Sequence, residues 1–166
     1  KINWDVAEAF NSGSFLGSGS FGEVRKVTYT DSNGQRVTIA LKKLKPDDQT
    51  LIKQSVVELE ALKALGMSKY APRLYGCAVN GQKELFVAQE LLDHTLKTTT
   101  FTNAIVQMSI AECLKLYKDM FLGLNDLWNA GYVHNDIKPA NMMTDEHNTR
   151  IYLIDFGFAQ PNTANN

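Results

Sequence analysis

Four stretches of the chain bring together residue types that handle phosphate and metal ions. The first is Gly17-Ser18-Gly19-Ser20-Phe21-Gly22-Glu23-Val24, which fits G-x-G-x-x-G-x-V. Glycines let a backbone approach an anion closely, and exposed N–H groups can face its oxygens. Alone, such a stretch is as readily a plain hairpin turn. The second is Lys42 in Ala40-Leu41-Lys42, 20 residues past Gly22. A strand lysine is ordinarily a solvated edge charge. It gains a chemical role only with an anion to bind and a carboxylate to hold it. Glu58, sixteen residues further on, is the candidate carboxylate, and Glu60 competes with it. Leu62 and Leu65 continue the helical face that Glu58 begins, which favours Glu58 over a mere surface charge. The third is His134-Asn135-Asp136-Ile137-Lys138-Pro139-Ala140-Asn141. An Asp followed five residues later by an Asn can set a proton-accepting group beside a metal ligand. Lys138 between them can offset negative charge on a transferring phosphate, and His134 reads as a packed structural residue. The fourth is Asp155-Phe156-Gly157, directly after the apolar run Ile151–Ile154. A carboxylate at a strand end suits Mg²⁺, which prefers hard oxygen ligands and keeps several waters.

The elements that must carry these residues change character along the chain. Residues 14–20 predict a short strand ending in a turn. Glu23–Tyr29 and Arg36–Lys42 flank the turn cluster Asp31–Gln35, whose Asn33-Gly34 is a strong hairpin signal. The period then becomes helical. Pro46-Asp47-Asp48 predicts a helix start, Leu51, Ile52, Val56, Leu59, Leu62 and Leu65 follow helical spacing, and Gly66 predicts the stop. Arg73–Val79 and Glu84–Glu90, around Asn80-Gly81-Gln82, predict another hairpin. Residues 1–90 thus predict an antiparallel five-stranded sheet interrupted by one helix, an α+β arrangement. The strand that follows Gly22 argues against a dinucleotide-binding fold, which needs a helix there. Residues 109–130 predict one long amphipathic helix, followed by short strands and loops, and the tail from Pro161 reads as loop.

Composition excludes other classes. Of 166 residues, 44% are hydrophobic and 21% charged, the proportions of a globular chain and not a disordered one. The 17 Lys and Arg against 18 Asp and Glu give a net charge of −1, with no electrostatic case for nucleic acid or an anionic membrane as partner. No apolar run is long enough to span a bilayer. Cys77 and Cys113 make neither a disulfide framework nor a paired metal motif. The start, Lys1-Ile2-Asn3-Trp4-Asp5, lacks a signal-peptide pattern and an initiator Met, so the expectation is a piece of a longer chain.

In order and spacing, the four stretches resemble the signature set of the eukaryotic-type serine/threonine protein kinase catalytic domain, from about Phe15 to Ala159. The resemblance implies a bilobal fold: an N-lobe over residues 1–92 and an incomplete helical C-lobe over 93–166. It implies ATP and Mg²⁺ as cofactors and Ser or Thr hydroxyls of proteins as acceptors. Leu16, Gly17, Gly19, Ser20, Phe21 and Gly22 would cover the nucleotide. Lys42 would pair with its phosphates and be held by Glu58. Asp136 would orient the acceptor hydroxyl with Lys138 nearby, and Asn141 and Asp155 would hold Mg²⁺. Val24 and Ala40 would roof the adenine, Met143 would floor it, and Glu90-Leu91-Leu92 would form the hinge at its edge. Gln89 would take the gatekeeper position, where a polar residue is unusual for the family. Lys138-Pro139 is similar to serine/threonine kinases, and Gln89–Asp93 and Ile151–Ala159 look casein kinase 1-like. The resemblance also implies an intracellular protein, cytoplasmic or nuclear.

Two departures stand out. Asn135 replaces the family's usual Arg, which clamps a phosphorylated activation loop. Activity is therefore expected to be independent of phosphorylation there, and phosphatase treatment of the active enzyme checks it. The chain also stops nine residues after Gly157, before the family's substrate platform. The long helix is then expected to show a bare apolar face that missing C-terminal sequence or a partner would cover. Two alternatives remain: a kinase-like module that holds nucleotide or a partner without turnover, and a small-molecule kinase.

Overall fold

The structure is a computed structural model that describes residues 5–19, 22–30, 33–44, 49–96 and 99–163. The chain divides into two compact units, residues 1–55 with 73–91 and residues 56–72 with 92–166.

The first unit is built on a five-stranded antiparallel sheet of β1 (Ser14–Gly19), β2 (Gly22–Thr30), β3 (Arg36–Leu44), β4 (Leu74–Val79) and β5 (Leu85–Glu90), in the order β1-β2-β3-β5-β4. These are the five strands the sequence predicts. Alternation on β3 sorts its two faces: Ile39 and Leu41 are buried, Ala40 and Lys42 are half-buried. A helix that the sequence reading did not foresee, α1 (Val6–Ser12), covers the Ile39/Leu41 face. Its Val6 and Phe10, one turn apart, pack with Val27, Ile39, Leu41, Phe86 and Ala88. Burial of each large side chain stabilises by roughly 1.5–3 kcal/mol. Asp5 caps the helix start, its Oδ1 accepting from the Ala7 and Glu8 N–H groups at 3.1 and 3.0 Å. Arg25 closes the other end, donating to the carbonyls of Phe10, Asn11 and Gly13 while lying over the Phe10 ring. At the second hairpin, Asn80 Oδ1 accepts from the N–H groups of Gln82 and Glu84, which sets the turn.

Helix α2 (Gln49–Leu65) forms where the spacing predicts a helix and ends at Gly66, whose φ is +32°, but its buried face runs through Ser55, Glu58, Ala61, Leu62 and Leu65, while the expected Ile52 and Val56 are exposed. Its predicted start at Pro46-Asp47-Asp48 lies outside the described residues. The division between the units falls within α2, after Ser55.

The second unit contains a three-stranded sheet in the order β6-β8-β9, made of β6 (His94–Thr95), β8 (Met142–Thr144) and β9 (Ile151–Leu153). A short helix α3 (Thr99–Ile105) precedes α4 (Ile110–Asn129), the long helix predicted for 109–130. Ser109 and Glu112 make a capping box at its start: Ser109 Oγ accepts from the Glu112 N–H, and Glu112 Oε2 accepts from the Ser109 N–H. Helix α4 lies close against β9 at Gly123, where a Cβ would meet Tyr70 Cβ at 2.9 Å and Leu153 Cδ1 at 3.1 Å. Leu116, Asp119, Gly123 and Leu127 are its buried residues, and Lys115 pairs with Asp119. Ile110, Leu114, Tyr117, Phe121 and Trp128 form a second apolar stripe that is bare, with Ile110 80% exposed. Finally β7 (Tyr132–Val133) and β10 (Gln160–Pro161) pair as a two-residue antiparallel ladder, so Pro161 belongs to a strand and not to the expected loop. Among the described residues, no helix is long and apolar enough to cross a membrane.

Candidate functional site

In the first unit, register decides which candidate residues share a face. The glycine-rich hairpin pairs Gly17 with Val24 and Gly19 with Gly22. Val24 also faces Lys42, and Lys42 faces Val87; Ala40 faces Gln89. Cross-strand partners point the same way. Val24, Ala40, Lys42 and Gln89 therefore lie on the face opposite the one that α1 covers. The glycines are not equivalent. Gly22 has φ +139°, and a Cβ there would sit 2.0 Å from the Lys43 carbonyl oxygen. At Gly17 a Cβ would meet nothing within 4 Å. Gly22 is thus required by the backbone itself, and Gly17 is open to whatever approaches the turn. Leu16 is exposed, and Ser20 and Phe21 lie outside the described residues. The Gln89 Nε2 is buried without a hydrogen-bond partner. Glu90 ends β5 with its N–H donating to the Arg73 carbonyl at 2.9 Å.

In the second unit, α2 carries Glu58, which is 5% exposed, while Glu60 is exposed. Glu58 is therefore the enclosed carboxylate of the two. Met142 is buried on β8 and Met143 half-buried; Leu92 is buried.

The loop after β7 gathers the remaining candidates. His134 is buried, with Nε2 bonded to the Ile154 carbonyl at 3.0 Å and Nδ1 accepting from the Asp136 N–H at 3.4 Å. These bonds fix the neutral tautomer with the proton on Nε2. Burial pushes the His134 pKa below its usual value, against the opposing effect of the Ile154 bond and of Asp155 and Asp136. Its ring lies 5.1 Å from that of Phe156, which is fully buried. The Asp136 carboxylate is held through Oδ2, which accepts from Lys138 Nζ at 2.6 Å and from Asn141 Nδ2 at 2.7 Å. The Lys138 bond, with Asn141 and the Lys138 charge adding to it, holds the Asp136 carboxyl below the usual range despite some desolvation. Both bonds fall on Oδ2, which leaves Oδ1 to accept from a hydroxyl.

A single 3₁₀ turn, Pro139–Asn141, brings Asn141 back toward Asp136, with Pro at the first position where no N–H is needed. The Ile154 N–H donates to the Asn141 carbonyl at 3.0 Å, so the chain entering Asp155 lies against Asn141. Asp155 has a left-handed backbone, φ +62°, and its Oδ1 is buried without a hydrogen-bond partner. An orphaned carboxylate oxygen of this kind fits a cation. The Asn141 amide nitrogen is spent on Asp136, which leaves its oxygen for the same use. Among the described residues, no three or more His, Cys, Asp or Glu side chains form a group that could hold a metal ion by themselves. A cation here would draw on one carboxylate, one amide oxygen, water and phosphate, which is how Mg²⁺ is commonly held.

One contact escaped the sequence reading. Asn135, at φ +62°, donates through Nδ2 to the Phe158 carbonyl at 3.3 Å. The signal was present in residue type, since Asn tolerates the left-handed region better than most residues.

The sequence pattern of the family described as protein kinase domain matches residues 10–166, nearly the whole chain. The chain belongs to that family. It is 27% identical to the mitogen-activated protein kinase p38a of Drosophila melanogaster, over 97% of this chain and 44% of that protein. It is 32% identical to a dual specificity protein kinase, the YAK1 homolog of Arabidopsis thaliana, over 87% of this chain and 15% of that one. A Caenorhabditis elegans protein carrying the casein kinase I name is 24% identical over 87% of this chain and 42% of its own length. The likeness is spread over several kinase groups. The chain spans less than half the length of these curated relatives.

Proposed function

We propose that this chain carries the nucleotide-binding and catalytic-loop portion of a serine/threonine protein kinase, which transfers phosphate from ATP to protein hydroxyls. The observation that carries this reading is the Asp136 carboxylate, held by Lys138 and Asn141 within one loop and left with one free oxygen. Family membership and the names of the relatives support the reaction class.

Residues 1–92 are read as the nucleotide-binding portion and 93–166 as the catalytic one. The backbone of Gly17, Gly19 and Gly22 would supply N–H groups to phosphate oxygens, and the Lys42 ammonium would oppose their charge. By the family resemblance alone, Val24, Ala40 and Met143 would offer apolar surface for the base, with Glu90 and Leu92 at its edge and Gln89 behind it. Glu58 would hold Lys42 in place. Asp136 Oδ1 accepts the hydrogen bond of the acceptor hydroxyl and orients its oxygen toward the phosphorus. The depressed pKa keeps Asp136 ionised at neutral pH, so its part is orientation with late acceptance of the proton. Lys138, bonded to Asp136, places positive charge beside the transferring group. Asn141 and Asp155 would hold Mg²⁺, which when bound screens the charge of the phosphate oxygens.

The test is transfer of radiolabelled γ-phosphate from Mg·ATP to mixed protein substrates, with the protein at its full natural length and Asp136→Ala beside it. Label on Ser and Thr that disappears in the variant is the expected result. Label that persists at the same rate in the variant, or that goes only to small alcohols, overturns the reading.

A further inference from the structure

Asp155 sits in a left-handed turn with a buried, unpartnered carboxylate oxygen, an arrangement that persists only if the surrounding chain holds it. Two consecutive residues of the preceding loop hold it from both sides. His134 Nε2 takes the carbonyl of Ile154, one residue before Asp155. Asn135 Nδ2 takes the carbonyl of Phe158, three residues after. Between these anchors the Ala159 N–H closes a tight turn onto the Phe156 carbonyl. Beyond them Val133 pairs with Gln160, Tyr132 pairs with Pro161, and the Asn162 N–H donates to the Gly131 carbonyl at 2.7 Å. Residues 131–135 and 158–162 thus run as one antiparallel seam, which the Asn135 side chain extends toward Asp155. Phe156 is anchored by its fully buried ring.

We infer that Asn135 is a positioning residue, whose side-chain amide anchors the Phe158 carbonyl and so fixes the placement of the Asp155 carboxylate. Two demands meet at this position: a left-handed backbone and a short neutral donor. Asn satisfies both. The tether is uncharged and needs no phosphate group to complete it. For its turnover readout the inference rests on the proposed phosphoryl transfer; its second readout does not.

The experiment compares Asn135→Gly and Asn135→Asp with the unaltered full-length protein. Glycine keeps the backbone conformation and drops the donor. Aspartate keeps size and left-handed tolerance but sets a carboxylate against the Phe158 carbonyl. The first readout is the Mg²⁺ concentration that half-saturates ATP binding and turnover. The second is amide hydrogen exchange of Ala159, Gln160 and Asn162, measured against β8 and β9 as internal reference. We expect Asn135→Gly to require about fivefold more Mg²⁺, as loss of one net hydrogen bond implies, and Asn135→Asp to require more than that, with kcat at saturating Mg²⁺ retained in both. Exchange at these amides should quicken by a similar factor in Asn135→Gly and by more in Asn135→Asp. An unchanged Mg²⁺ requirement, or a loss of kcat that saturating Mg²⁺ does not restore, overturns the inference. If the unaltered protein shows no Mg²⁺-dependent binding of ATP, the kinase reading fails, and exchange then decides the tether alone. Faster exchange upholds it and unchanged exchange refutes it.

Discussion

In the first unit the candidate residues ride on a ladder. Val24, Lys42 and Val87 stand opposite one another by register, as do Ala40 and Gln89, and the helix α1 packs only the other face. In the second unit the candidate residues ride on turns. Asp136, Asn141 and Asp155 are placed by short side-chain bonds and by left-handed residues at Asn135 and Asp155. A ladder spreads the task of placing a side chain over many backbone bonds, so losing the functional end of one residue leaves its neighbours where they were. A turn concentrates that task in two or three polar groups. Function and local structure are therefore separable in the sheet and joined in the loop.

The largest effect that would break this contrast is at Lys42. Lys42→Met keeps the strand and removes the ammonium. Steady-state kinetics should show kcat/KM lower by about 10²–10³-fold, while thermal melting changes little. A melting loss as large as the activity loss would show that the sheet also depends on its functional group.

The two glycines of the hairpin sharpen the same contrast within the sheet. Gly22→Ala should destabilise by about 3 kcal/mol, since its Cβ would strike the Lys43 carbonyl and its backbone is in a strained region for any other residue. Gly17→Ala should leave stability within about 0.5 kcal/mol, because its Cβ would enter open space. Chemical denaturation of both variants decides this, and equal losses would contradict the structure.

The smallest effect expected is from His134 in the loop. Its folded-state pKa lies below the unfolded value because of burial, and Asp155 and Asp136 facing it only moderate the shift. The unfolded chain therefore binds the extra proton first on acidification. The stability that His134 contributes is full above about pH 6.5 and is lost as pH falls from there through the lower folded-state value. Melting temperature should fall over that window, and His134→Gln should flatten the fall. An unchanged slope would mean that His134 is not held neutral.

How much of this was legible in the sequence follows the same division. Strict alternation such as Ile39-Ala40-Leu41-Lys42 reports a face directly, and Asn33-Gly34 and Asn80-Gly81 announce their turns, so the five strands could be read without the structure. Helix α1 could not, because seven residues with Val6 and Phe10 one turn apart make too short a pattern to stand out. In the loop, residue types and spacing named Asp136, Asn141 and Asp155 but not what holds them. The Asn135–Phe158 bond joins residues 23 apart and has no periodic signature. Helix α4 was readable as a helix, yet its apolar positions did not sort into buried Leu116 and Leu127 against bare Ile110, Leu114, Tyr117 and Phe121 until its neighbours were in place.

The most direct test of the account is Mg²⁺-dependent ATP binding by Asp136→Ala and Asp155→Ala, measured side by side on the full-length protein. Asp136 is proposed to serve the acceptor hydroxyl and Asp155 the cation. Asp136→Ala should keep a Mg²⁺ dependence within a few fold of the unaltered protein's, because the Asn141 Nδ2 bond to the Asp136 backbone carbonyl at 2.9 Å survives the change, and Asp155→Ala should lose that dependence. Equal loss in both folded variants, or Mg²⁺ dependence that survives Asp155→Ala, would contradict the account.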